Sequence, residues 1–281
     1  MARYRQLLER GLPQGHRAYR HADRLLFRIL SRDDDPSLLF EYQKPARTNI
    51  ALGIWARDLL REAATATLAQ AKRIEDPRVR GSAHRIVTNL ARFLRSDLAE
   101  KPIVRRGGRN ILQPEAVPPT IFSVATVAFM PRLQRERAGF LDRLELYLTK
   151  RAPKRTYVIR FGRKIIKPTF QILGEPLHAD SAGNPKDLPF ALHWIELLLR
   201  MGIFERSAVA GRILSRLLRD CDKDGVWHRP NLRTLPKSPS KLADFAFPLE
   251  LDGRTQERRR TDVTFRLALL AKLAGWDLEF N

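Results

Sequence analysis

Cysteine is almost absent: the 281 residues contain one, Cys221. A single thiol excludes an intrachain disulfide and any zinc site built from several thiolates, and it permits a reducing compartment. Long apolar runs are missing as well. No stretch approaches the roughly 18 residues that signal a bilayer-spanning helix. The opening "MARYRQLLERGLPQGHR" has no apolar core of the signal-peptide kind, so the expected location is cytoplasmic. Its arginines suggest an organelle transit segment, but Glu9, Asp23 and Asp33 to Asp35 argue against one. Several catalytic signatures are also lacking. Gly107–Gly108 is not followed by Gly-Lys-Ser/Thr, and there is no Gly-x-Ser-x-Gly elbow or His-Glu-x-x-His helix. No cofactor is expected.

Acids are the scarcest class relative to their counterparts. Against 52 Lys and Arg stand 31 Asp and Glu, a formal charge of +21. Such a surface attracts polyanions and speeds their association whatever the fold. Only 12 of the cations are lysine. A GC-rich codon supply explains arginine over lysine; it does not explain cations over acids. The hydrophobic share of 43% and charged share of 30% are globular values.

What is present is helical periodicity. "HRAYRHADRLLFRILSR" places Ala22, Leu25, Leu26 and Ile29 on one face. "DDDPSLLFEYQKP" interrupts it, with Pro36 and Pro45 as punctuation. Near-apolar helices are predicted around 46–71, 118–132, 187–201 and 262–275, and one-sided helices around 78–97, 138–150 and 206–219. Helices apolar on most faces belong inside and one-sided helices outside. The segments from Asp187 and Asp262 share Asp-x-x-Phe-x-Leu-x-x-Ile/Leu-x-x-Leu; "PTIFSVATV" and "RTNIALGIW" follow more loosely, each opening as a helix start should. A second repeat pairs "IVRRGGRNILQP" (103–114) with "VIRFGRKIIKP" (158–168) once one glycine is gapped. β-Branched runs about a glycine turn predict β-hairpins. The expected fold is therefore all-α, with α/α helical-hairpin repeats in a toroid or partial toroid joined by short β-hairpin connectors. An N-terminal helical segment, 1–40, precedes a repeat domain, 41–281, with a long loop near 228–261.

An outer helix ending in "DKDGVWH", with Asp224, Gly225 and Trp227, inside this alternation resembles the α/α-toroid proteins, the squalene-cyclase and protein-prenyltransferase repeats. The resemblance covers 46–276 and implies architecture only. The Asp-x-Asp-Asp motif of the cyclases and the Asp, Cys and His zinc set of the prenyltransferases are not found, and the acids of "RDDDP" (32–36) lie outside the repeats.

Four constellations bear on function. Asp220, Asp222 and Asp224 before Gly225 match the first half of an EF-hand loop, but Asn231 stands where a bidentate glutamate is needed. Gly225 then reads as a helix terminator and Trp227 as a plug. Between Glu145 and Glu175 there is no acid, while Lys150, Arg151, Lys154, Arg155, Arg160, Arg163, Lys164 and Lys167 alternate with Tyr157, Phe161 and Phe170. The sister hairpin adds Lys101, Arg105, Arg106 and Arg109. Cations for phosphates beside aromatic faces for bases are the parts of a nucleic-acid surface; the competing reading is a solvated connector with its aromatics packed inward. His193, Glu196 and Arg200 form a polar stripe on one helix, either lining a cavity as acid and base or tied in an internal ion ladder. His178 and Asp180 in "GEPLHADSAGNPKD" either supply two metal ligands or orient one another, and "RTQERRR" (254–260) reads as a solvated or phosphate-facing loop.

The expected function is non-catalytic polyanion binding, with nucleic acid held on a basic hairpin rim. The alternative is a toroid enzyme or binding protein for an apolar chain with an anionic, diphosphate-like head. Association with an acidic membrane surface is a third reading, for which no basic amphipathic terminal helix stands out.

Overall fold

The computed structural model of the chain describes residues 2–13, 15–31, 40–228 and 256–276. Those residues form eleven α-helices and two small β-hairpins, and they divide into two compact units. One comprises residues 12–175; the other joins 2–11 to 176–281. The acids of "RDDDP" and most of the 228–261 loop lie outside the described residues.

In the first unit, α2 (Arg17–Ser31), α3 (Phe40–Thr48), α4 (Ile50–Gln70) and α5 (Pro77–Leu94) precede the first hairpin, and α6 (Ile121–Phe129), α7 (Pro131–Arg135) and α8 (Phe140–Thr149) precede the second. The core is built on α4 and α6, which pack on each other and on α5. Helix α6 buries eight of its nine residues, as "IFSVATVAF" requires. Its hydroxyls are satisfied locally. Thr120 and Ser123 form a reciprocal capping box, and Thr126 Oγ1 donates to the Phe122 carbonyl at 2.9 Å. The inner half of α4 is rich in alanine, so its neighbours approach closely; there Thr65 and Ser82 share a buried hydrogen bond of 2.8 Å between α4 and α5. The buried Arg61 reaches back to the Leu30 carbonyl in the last turn of α2. Helix α8 buries Phe140, Leu144, Tyr147 and Leu148 on one stripe and leaves Leu146 exposed.

Pro45 does not end a helix as its position predicts. It lies inside α3, and the break falls four residues later at Asn49, whose side chain accepts from Leu52 N and starts α4.

The second unit contains α1 (Ala2–Glu9), α9 (Leu188–Met201), α10 (Ala208–Arg219) and α11 (Gln256–Leu273). Asp187 caps α9, which buries twelve of its fourteen residues and packs against α10 and α11. Helix α10 buries Ala210, Ile213, Leu214 and Leu217 and keeps its arginines outside. The shared motif diverges here. Asp262 does not start its helix: α11 already begins at Gln256, Asp262 is a buried interior residue, and Phe265 is 46% exposed where its counterpart Phe190 is 7% exposed. Residues 256–260 of "RTQERRR" are therefore helical rather than loop. Among the described residues no helix is long and apolar enough to cross a membrane.

Candidate functional site

The hairpins are built by their turns. β1 (Ile103–Arg106) and β2 (Arg109–Leu112) pair antiparallel across Gly107–Gly108, both at positive φ, which only glycine adopts freely. β3 (Ile159–Phe161) and β4 (Lys164–Ile166) pair across Gly162–Arg163, with Gly162 at φ +57°, the pattern of a type II′ turn. Both loops therefore have two residues. The gapped glycine of the sequence alignment is corrected: Gly107 matches Gly162, and the second strands correspond without a gap.

The two hairpins lie side by side. Leu112 N donates to the Val158 carbonyl at 2.9 Å, and Val158 N donates to the Asn110 carbonyl at 3.0 Å, so β2 continues in parallel onto the lead-in to β3. Asn110 Nδ2 adds a bond to the Thr156 carbonyl. Arg105, Arg106 and Arg109 on one hairpin, and Arg160, Arg163, Lys164 and Lys167 on and just after the other, are all exposed, as are Lys154 and Arg155 in the lead-in. Among the described residues none of these nine is in an ion pair. Lys150 departs from the set: it turns in over the Tyr147 ring, donates to the Ala99 carbonyl and lies 3.7 Å from Glu100.

The aromatic residues pack inward. Phe170 meets Phe122 with ring centres 5.2 Å apart, and burial pushes the Tyr157 hydroxyl up to about 12. Phe161 meets Trp55 of α4 at 5.7 Å with a tilt of 54°.

That last contact forms one wall of a feature the sequence reading missed, a cavity of about 530 Å³ in the first unit. Helix α4 lines it with Ile54, Trp55, Asp58, Leu59 and Glu62; the segment after β2 lines it with Gln113, Pro114, Ala116, Val117 and Pro118; Ile159, Arg160, Phe161 and Gly162 complete it from the second hairpin. Most of the lining is apolar, and Ile54 and Val117 are substantially exposed beside it. Glu62 is the polar centre. Thr120 Oγ1 donates to its Oε2 at 2.5 Å, and the residue is half-buried in the cavity lining. Burial pushes its carboxyl up to about 7; the Thr120 hydrogen bond opposes the rise and Asp58, one turn earlier, adds to it. The missed signal was the i, i+4 pair of carboxylates, Asp58 and Glu62, on a helix predicted to lie inside.

No family model, curated protein or solved structure matches this chain.

The remaining candidates are tied up elsewhere. His193, Glu196 and Arg200 belong to a buried ion network in the second unit. Arg200 Nε lies 2.8 Å from Glu196, and Arg266 lies 2.9 Å from Glu9 and 3.7 Å from Glu196. Burial works against ionising Glu196, but the Arg200 and Arg266 guanidinium groups beside it outweigh that cost and hold its carboxyl below the usual carboxylate range. Burial lowers the His193 pKa, and its Nδ1, 3.9 Å from Glu196, is too far for a hydrogen bond. The three loop aspartates do not converge. Asp220 pairs with Arg216 at 2.6 Å, and Asp222 Oδ1 accepts from the backbone N–H groups of Asp224 and Val226. Among the described residues no three His, Cys, Asp or Glu groups are placed to hold a metal ion. Gly225 turns this small loop at φ +72° rather than ending α10, which stops at Arg219. His178 donates nothing to Asp180, whose carboxylate instead accepts from Asn184 N and Nδ2 and is held below its ordinary pKa by those bonds.

Proposed function

We propose that the protein binds nucleic acid by its phosphate backbone, across the paired hairpins, without carrying out chemistry on it. The observation behind this reading is the hydrogen bonding of β2 to the lead-in of β3, which gathers nine exposed cations, none ion-paired among the described residues, onto adjoining strands and turns. Unpaired cations can displace the counterions condensed on the phosphates without first breaking an internal ion pair, so affinity falls steeply with salt and sequence selectivity from these contacts is low. The inward packing of Phe170 and Tyr157 leaves the hairpin cations, rather than stacked bases, as the main source of affinity. An α/α-repeat scaffold and a cytoplasmic location belong to the same reading.

Charge reversal at Arg160, Arg163 and Lys164 tests it, against reversal of three exposed arginines elsewhere, Arg80, Arg212 and Arg219. Losing three phosphate contacts reduces the log–log salt slope for single strands by about 2. Equal weakening in both sets means diffuse attraction and removes the hairpins as a site. A second reading, a carrier for an apolar chain with an anionic head, draws on the apolar cavity with Arg160 in its lining. It gains the lead if neither set matters and oligonucleotides do not bind at about 100 mM salt, where phosphate contacts still dominate nucleic-acid affinity.

A further inference from the structure

Arg160, Phe161 and Gly162 belong to two features at once: they form the tip of the basic hairpin and they line the cavity. A strand lying along the hairpin cations therefore passes the mouth of an apolar pocket. Its volume of about 530 Å³ falls within the roughly 300–1,000 Å³ usual for small-molecule sites. That leaves room for a base with its sugar. Trp55 and Phe161 make an aromatic corner, and Ile54, Leu59 and Val117 supply further apolar wall. Glu62 accepts one hydrogen bond, from Thr120 to Oε2, and no partner for Oε1 occurs among the described residues. Asp58, Gln113, Arg160 and Gln171 are the other polar and charged lining residues.

A carboxylate with one donor in an apolar wall is best satisfied by a planar group offering adjacent N–H donors. Of the four bases, guanine alone presents two neighbouring donors, N1–H and the 2-amino group, on its Watson–Crick edge. Adenine and cytosine present a donor beside an acceptor, and thymine a donor between two acceptors. We propose that the cavity takes one unpaired guanine, its N–H edge on Glu62 and its ring against Trp55 and Phe161, from a single strand whose backbone lies on the hairpins. The inference rests on the nucleic-acid reading above. It adds base selectivity at one position to binding that is otherwise blind to sequence, in the way that splayed-out bases are read in pockets. Ionised Glu62 is the accepting form. Its carboxyl titrates near neutrality in the free protein, so the preference for guanine grows as pH rises from 6 to 8.

The test is fluorescence anisotropy with dT12 and with the same strand carrying one central dG, dA or dC, at pH 6 and pH 8. The dG strand is expected to bind about tenfold more tightly than dT12 at pH 8, the order of a bidentate base contact. In Glu62→Gln, the affinity for the dG strand drops to that of the dT12 strand. A second variant, Ala51→Trp, fills the exposed edge of the cavity without touching the Glu62–Thr120 pair and removes the same preference. Free GMP separates the two sources of guanine: displacement of the dG strand at micromolar GMP means the pocket serves a free nucleotide and overturns the strand-borne form of the proposal. Equal binding of all four strands overturns base selection while leaving backbone binding intact. A guanine preference that survives both substitutions places the selectivity elsewhere and overturns the site. If no strand binds at all, the nucleic-acid reading fails and this inference falls with it.

Discussion

Glu62→Gln is expected to make the protein more stable at alkaline pH and to leave it unchanged at acid pH. Folding encloses this carboxyl and raises its pKa from 4.5 to about 7. A group whose pKa is raised on folding binds its proton more tightly in the folded state. Stability from that linkage is full below about pH 4.5 and is lost as pH rises through about 7. At about 1.4 kcal/mol per pKa unit, the difference between 4.5 and about 7 is worth about 3 kcal/mol. Glu62 is only half-buried, so solvent screens part of the effect and about 2 kcal/mol is the better expectation. Glutamine retains an oxygen for the Thr120 hydroxyl and carries no charge, so the variant avoids the cost of ionisation. About 2 kcal/mol corresponds to roughly 4–8 °C in Tm for a unit of this size. Thermal unfolding of both proteins at pH 5 and pH 8 measures it: the curves nearly coincide at pH 5, and the variant melts higher at pH 8. A Tm difference between the two proteins that is the same at both pH values refutes the enclosed-carboxyl argument.

Two further substitutions probe the second unit. Trp227 is 1% exposed, and its indole N–H meets no acceptor among the described residues, so its contribution is packing. Trp227→Ala is expected to cost about 3–5 kcal/mol in urea unfolding, and a loss under about 1 kcal/mol would show that the site collapses around the missing ring. Arg266 is 4% exposed and bridges Glu9 on α1 to Glu196 on α9. Arg266→Ala leaves two enclosed carboxylates short of a cation and is expected to cost about 3–5 kcal/mol, whereas the double variant with Glu196→Gln recovers part of that loss; equal stability of the single and double variants would mean the pair is not coupled.

The helices and hairpins were legible because their signals are local. The apolar face of α10, the buried run of α6, the caps at Thr120 and Asp187, and the Gly107–Gly108 turn each lie within a few residues of what they specify. Local signals misled where packing outweighed them. Pro45 lies within α3, and Asp262, which reads as a helix start, is buried inside a helix that begins six residues earlier. The basic character of the hairpins is a property of composition, and the sequence alone carried it. Their joining through Val158 and Asn110 is not, because nothing in either hairpin names its neighbour. The cavity is the extreme case. Glu62 and Thr120 are 58 residues apart, and Phe161 comes from a third segment. A carboxylate on α4 has an ordinary pKa until tertiary packing takes away its water. The sequence supplied the charge, the caps and the turns, whereas only the packing of distant segments could enclose a carboxyl and place an aromatic corner beside it.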